Sequence, residues 1–300
     1  MSQTLSQASA ASTKDYDNTQ IVIDIADVFP ADYNGGTEFE VPNYSFLPDQ
    51  WTRAFLRGLA QFDGFDGKTV VELGIGTGVN AAYVLQSRNP KCVVGSDIDG
   101  MCTIISLKNV YTNVDEEKQG RFRALAGDQN LASWIHEKGF ADVVFGCLPQ
   151  VIKSEQIHLH EGNDVSHYYD PAFYPSELHH LGLGLNDFAL RQLHPLLNQG
   201  ASVILNLSGR PGLGKGLEEL LFRTNGYEPR VLHEEVVAQH AGTSVATLAE
   251  VEKHHGHEFE FFTSIDGAPE SKISATFAEE RRLAGLPVFH KIYVIEGKKI

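Results

Sequence analysis

The stretch Thr69–Tyr83, TVVELGIGTGVNAAY, limits what this chain can fold into more than any other. A short apolar run reaches Glu72. Three glycines then stand at alternate positions, Gly74, Gly76 and Gly78, and Ala81, Ala82, Val84 and Leu85 begin a helical spacing. Strand, glycine turn and helix make the first crossover of a doubly wound sheet, with glycine where a ligand comes close to backbone. The G-x-G-x-G spacing is not the dinucleotide fingerprint G-x-G-x-x-G/A, whose last small residue would fall on Val79.

The rest of the chain repeats that alternation. KCVVGSDID is a second apolar run, and its Asp97 lies nineteen residues past Gly78. At that spacing an acid closing the second strand takes up the two vicinal hydroxyls of a ribose. Asp99 reads as the cap of the helix from Met101. RFRALAGDQNLASW places Asp128 and Gln129 at the end of a third strand. ADVVFG delivers Cys147-Leu148-Pro149-Gln150 at the end of a fourth, where open parallel sheets bind ligands. ASVILNLS is a fifth strand, and EPRVLHEEVV, EFEFFTS and HKIYVIEG read as the last ones. The expectation is one α/β domain over 67–300 around a doubly wound, mostly parallel, seven-stranded sheet. Residues 1–20 carry no apolar periodicity and are expected to be a disordered tail. Residues 21–66 read as an N-terminal extension or lid. In it Asp49 caps a helix, and Tyr44, Phe46 and Trp51 are candidates to close on a ligand.

Composition excludes some functions. The 300 residues hold 39 acidic against 24 basic side chains, a net charge of −15, so a nucleic acid is not the expected partner. Three cysteines, Cys92, Cys102 and Cys147, have no metal-like spacing; disulfides are not expected, and a reducing cytoplasm is. No apolar run has transmembrane length, so no membrane partner is expected. A homodimer stays open.

Two further segments compete for chemistry. His158, His160, Glu161, Asp164 and His167 match no fixed ligand spacing, so no metal is expected. In the same insertion Tyr168, Tyr169, Phe173 and Tyr174 are candidate walls for a small apolar substrate. Gly209–Lys215, GRPGLGK, fits the phosphate-cradling G-x-x-x-x-G-K, but Gly216 stands where a hydroxyl should hold magnesium. A tight turn carrying Arg210 is the better reading, with NTP binding as its rival from another functional class.

VVELGIGTG, Asp97, Asp128 and a strand ending in GCLPQ together resemble the class I S-adenosylmethionine-dependent methyltransferases. KTVVELGIGTG, GSDID, FGCLPQV, HLGLGL, NLSGRPGLG, SVATLAEVEK and HEFEFFTS narrow the resemblance to the methionine S-methyltransferases. Over residues 68 to about 263 the match is to the plant methyltransferase domain and the free-standing bacterial enzymes. That resemblance implies S-adenosyl-L-methionine as methyl donor and L-methionine as acceptor. Its product is S-methylmethionine, the first step of dimethylsulfoniopropionate synthesis in the bacterial relatives. Glu72 and the Gly74–Gly78 turn would meet the donor's methionine moiety, Asp97 the ribose, and Asp128 with Gln129 the adenine; Asn80, Ile98 and Cys147 complete that set. On the acceptor side stand Tyr44, Cys147, Pro149, Gln150, Tyr168, Tyr169, Asn206 and Arg210. Many amino-methyltransferases carry Asn-Pro-Pro-Tyr where this chain has Cys147-Leu148-Pro149-Gln150. A thioether has no N–H for such an Asn to receive, so the replacement suits a sulfur acceptor better than N-methylation of a protein glutamine or small molecule.

Overall fold

The computed structural model of the chain describes residues 20–45, 47–127, 139–152, 168–240 and 243–300. The chain enters through an antiparallel pair, β1 (Gln20–Asp24) and β2 (Glu38–Pro42), and a helix α1 (Gln50–Ala60) capped by Asp49. The parallel sheet is built by β3 (Thr69–Leu73), β4 (Cys92–Asp97), β5 (Phe122–Ala126) and β6 (Val143–Gly146). Helices α2 (Val79–Ser87), α3 (Gly100–Asn113) and the single turn α4 (Glu116–Gln119) lie between its first strands. A two-residue parallel pair, β7 (Val151–Ile152) and β8 (Tyr168–Tyr169), precedes α5 (Gly184–Leu193) and the fifth parallel strand, β9 (Ser202–Ser208). A π-wound helix over Leu213–Phe222 leads to β10 (Tyr227–Ala238). Then come α6 (Ala246–His255), β11 (Phe261–Phe262), β12 (Lys272–Ile273), α7 (Ala275–Leu283) and β13 (Phe289–Lys299).

Among the described residues the sheet has nine strands where seven are expected: β5-β4-β3-β6-β9-β13 in order, with β10 and the short β11–β12 ladder both joined to β13, β13 antiparallel to β9 and β10 antiparallel to β13. Val70, Val71, Val93, Val144, Phe145 and Val203 are fully enclosed, because helices cover both faces. From β3 the chain winds outward through β4 to β5, then returns to β6 on the other side of β3. The carboxyl ends of β3 and β6 therefore flank the topological switch point, where open sheets leave a crevice.

One of the expected strands is corrected. EFEFFTS is not a full strand. β9 ends at Ser208 opposite Ile292, and only Phe262 then reaches β13, at Phe289. β11 and β12 thus make a short ladder beyond the end of β9, held by the Glu260 amide donating to the Arg210 carbonyl at 2.8 Å. The N-terminal extension is anchored to the sheet. Arg53 and Arg57 of α1 both pair with Glu235 of β10, and the Gln50 side-chain amide exchanges two hydrogen bonds with the Ala238 backbone. β2 is held from α3, where Asn109 and Asn113 donate to the carbonyls of Glu40 and Glu38.

Candidate active site

A cavity of about 360 Å³ lies along the carboxyl edge of the sheet. The chain reaches it at five places, each fixed by strand direction. These are the turn after β3, the segment after β6, Arg210 after β9, Gln239 after β10, and His290 at the start of antiparallel β13. Ser45 and the run from Leu47 to Thr52 cover it, with the Trp51 ring 5.6 Å from the His290 ring.

The glycine turn forms one wall. Gly74, Gly76 and Gly78 have φ of +66°, +51° and +80°, a region that residues with a Cβ avoid. Ile75 is anchored to the Ser96 carbonyl, and the Gly76 amide donates to Asp97 Oδ2 at 2.9 Å. Asp97 also accepts from the Asp99 amide at 3.0 Å, so it fixes the turn's position as well as closing β4. Glu72 lies sealed behind the turn. Burial pushes its carboxyl up to about 8, against the Asn80 Nδ2 hydrogen bond (2.9 Å) that holds it down. Glu72 Oε2 and Asn80 Oδ1 are buried without a hydrogen-bond partner. Two orphaned acceptors beside a backbone cradle fit the ammonium of an amino-acid-bearing methyl donor.

The floor is Cys147-Leu148-Pro149-Gln150. Burial pushes the Cys147 thiol up to about 12, so it stays protonated. Asn206 Nδ2 faces Cys147 Sγ at 3.4 Å and donates to the Trp51 carbonyl at 3.1 Å, tying floor to cover. Gln150 is spent structurally: its Nε2 donates to the Asn206 carbonyl and its Oε1 accepts from the Ser208 amide.

The far wall carries charge. Arg210 is buried, its Nε donates to Ser208 Oγ at 2.6 Å, and no carboxylate among the described residues pairs with it. Burial holds its guanidinium at about 10, below the ordinary range. His290 is also buried, with neither ring nitrogen hydrogen-bonded. Burial first, and Arg210 second, hold it well below the ordinary imidazole range, so it is neutral.

Of the residues singled out from sequence, Gly74, Gly76, Asn80, Cys147, Pro149, Gln150, Arg210 and Trp51 line this one cavity. Glu72, Gly78, Asp97 and Asn206 support its walls. Tyr44 donates to Asp99 Oδ2 at 2.9 Å, beside the end of β4, and is not a cavity wall; Ile98 is exposed nearby. Tyr168 and Tyr169 do not reach the cavity either. β8 turns Tyr169 into the core against Tyr174, with its hydroxyl 3.0 Å from His179 Nδ1. Asp128, Gln129, Phe46 and the histidines from 158 to 167 lie outside the described residues. In the Gly209–Lys215 turn the Gly209 amide donates to the Lys291 carbonyl, the Arg210 amide to Ser208 Oγ and the Gly212 amide to the Gly209 carbonyl, so three amides that a phosphate would use are already spent. Sequence reasoning missed Gln239, His240, Thr243 and His290, and saw in Asp49 only a cap.

No family model matches the chain. Among curated proteins it is similar to the methionine S-methyltransferase of Zea mays, 27% identical over 252 residues that cover 77% of this chain and 23% of that one. The Arabidopsis thaliana protein of that name is 27% identical over 272 residues, covering 83% and 25%, and the Wollastonia biflora protein is 26% identical over 245 residues. The chain is thus similar to these methionine S-methyltransferases and spans about a quarter of their length. Among solved structures it is similar to P. horikoshii TYW2 in complex with MeSAdo (TM-score 0.49, 12% identity, covering 94% of this chain and 73% of that one). It is also similar to a precorrin-6y C5,15-methyltransferase from Geobacter metallireducens (TM-score 0.44, 11% identity, covering 86% and 93%).

Proposed function

We propose that the protein is an S-adenosyl-L-methionine:L-methionine S-methyltransferase that makes S-methylmethionine. The observation that carries the reading is Arg210, a buried guanidinium with no carboxylate partner among the described residues, on a cavity whose opposite wall is the glycine turn. A cavity with one unmatched buried cation asks for an anionic ligand group, and an amino-acid carboxylate supplies one. The similarity supports methionine as the amino acid.

The donor supplies a methyl group activated on a sulfonium. A lone pair of the acceptor's neutral thioether sulfur forms the new S–CH3 bond as the old one breaks, and the departing electron pair stays on the donor sulfur. Positive charge passes from one sulfur to the other, and no proton moves. The chain's residues therefore have to align and enclose, and orientation of this kind can contribute about 7–11 kcal/mol. Glu72, the turn and Asp97 hold one reactant; Arg210 holds the other by its carboxylate; Leu47–Trp51 cover both. The Cys147 thiol, kept protonated by burial, leaves the incoming sulfur without a competing thiolate. In the same proposal the activity is soluble and cytoplasmic and needs no metal, and its product feeds dimethylsulfoniopropionate synthesis. No helix among the described residues is long and apolar enough to cross a membrane. Incubation with methyl-labelled donor and methionine tests the reading: a labelled sulfonium product is expected, and its absence would refute it.

A further inference from the structure

Resting on the proposed reaction, the geometry points to a receptor at the Arg210 end of the cavity for the head group of a free α-amino acid: Arg210 and His290 take the carboxylate, and Asp49 with Gln239 takes the ammonium.

The residues come from four separate places in the fold and meet on one cavity. His290 carries the argument furthest. It is 1% exposed, lines the cavity, and has no hydrogen bond at Nδ1 or Nε2. A buried imidazole with both nitrogens idle is costly, and its neighbour Arg210 has no acid to balance it among the described residues. One carboxylate resolves both: it accepts from the guanidinium with one oxygen and from the neutral imidazole N–H with the other. The acceptors lie on the same cavity. Gln239 Oε1 is buried with no partner, while Gln239 Nε2 is engaged with the Thr243 carbonyl. Asp49 accepts from the Trp51 amide at Oδ1 (2.7 Å) and from the Thr52 amide, feels the charges of His240 and Arg53, and is in no ion pair among the described residues, so its carboxylate still faces the cavity as an acceptor. An ammonium has three N–H donors and suits a carboxylate and an amide oxygen.

The consequence is discrimination by head group and not by sulfur. A methionine inside a peptide has neither charge, and a buried receptor left half-filled rejects its ligand strongly. Methionine amide lacks the carboxylate, and 3-methylthiopropionate lacks the ammonium. Norleucine has both but no sulfur, so it separates the head-group claim from the methyl-transfer claim.

The test is calorimetry on the full chain with S-adenosylhomocysteine bound, using methionine, norleucine, methionine amide and 3-methylthiopropionate. Methionine and norleucine should bind within about tenfold of each other, and the other two at least about a hundredfold more weakly. His290→Phe should weaken norleucine by about 10- to 100-fold, and His290→Gln, which restores a donor, should recover part of that loss. Gln239→Leu, on a surface-proximal loop, should weaken norleucine while leaving 3-methylthiopropionate unchanged. Equal binding of the amide and the acid, or an unaltered norleucine affinity in both His290→Phe and Gln239→Leu, would overturn the receptor. Norleucine binding without labelled sulfonium from methionine would instead keep the receptor and overturn the proposed reaction.

Discussion

Arg210→Met is the substitution that tests the site most sharply, because substrate binding and stability should move in opposite directions. The methionine side chain keeps most of the stem volume and removes the charge. On the binding side, each hydrogen bond to a charged group is worth about 1.5–3 kcal/mol. The guanidinium meets one carboxylate oxygen and His290 the other, so the substitution should cost about 1.5–3 kcal/mol, or between about 10- and 150-fold in the methionine KM. The S-adenosylhomocysteine affinity should hold, because the Gly74–Asn80 turn is on the opposite wall. On the stability side, the guanidinium sits buried at about 10, so its charged form is disfavoured in the free fold. A base whose folded pKa lies below its unfolded value costs stability at every pH below the folded value, here by roughly 3 kcal/mol. Removing it should therefore leave the ligand-free melting temperature unchanged or raise it by several degrees, evenly from pH 6 to 9. Initial rates against methionine concentration, titration of S-adenosylhomocysteine and thermal melts measure all three. A methionine KM within about threefold of the parent would refute the clamp. A lowered melting temperature with KM kept would make Arg210 a structural residue.

Four further outcomes are expected. Glu72 should lose its proton when a cationic donor docks, so S-adenosylhomocysteine binding should release up to one proton near pH 7 and strengthen as pH rises toward about 8; calorimetry in buffers of different ionisation enthalpy reads this, and Glu72→Gln should abolish it. Because the folded Glu72 pKa is raised, its contribution to ligand-free stability should decline between roughly pH 4.5 and 8, and thermal melts of Glu72→Gln should lack that slope. Cys147→Ser should keep kcat within about tenfold, since the thiol acts as neither base nor nucleophile, and iodoacetamide should label Cys147 slowly even at pH 9. Gly78→Ala places a Cβ at φ +80° and 3.0 Å from Ser106 Cβ, so urea melts should show a loss of about 1–3 kcal/mol together with weaker S-adenosylhomocysteine binding.

The reach of the sequence follows from how each signal is written into the chain. The parallel strands are legible because burial on both faces demands unbroken apolar runs, such as Val70-Val71, Val93-Val94 and Val143-Val144-Phe145. The glycine turn is legible because three left-handed residues admit little else. Arg210 is legible as the first charged residue after β9, since the carboxyl end of a parallel strand faces the crevice. His290 is hidden by strand direction. HKIYVIEG reads as a closing strand, and nothing local says that it runs against its neighbour; only then does its amino end meet the edge where the parallel strands finish. Gln239 is hidden with it, because β10 reaches the same edge only by pairing with β13. Tyr168 and Tyr169 misled for the opposite reason. Aromatic residues after a ligand-facing strand suit a pocket wall and a core equally, and the pairing of β8 with β7 sends Tyr169 inward. Residues that bind through their own strand's end can thus be read from local pattern, whereas those that bind through an antiparallel partner need the register. The two halves of the proposed site divide along that line: the methyl-donor wall lies on parallel strands, and two of the four amino-acid receptor residues, Gln239 and His290, lie where β10 ends and β13 begins.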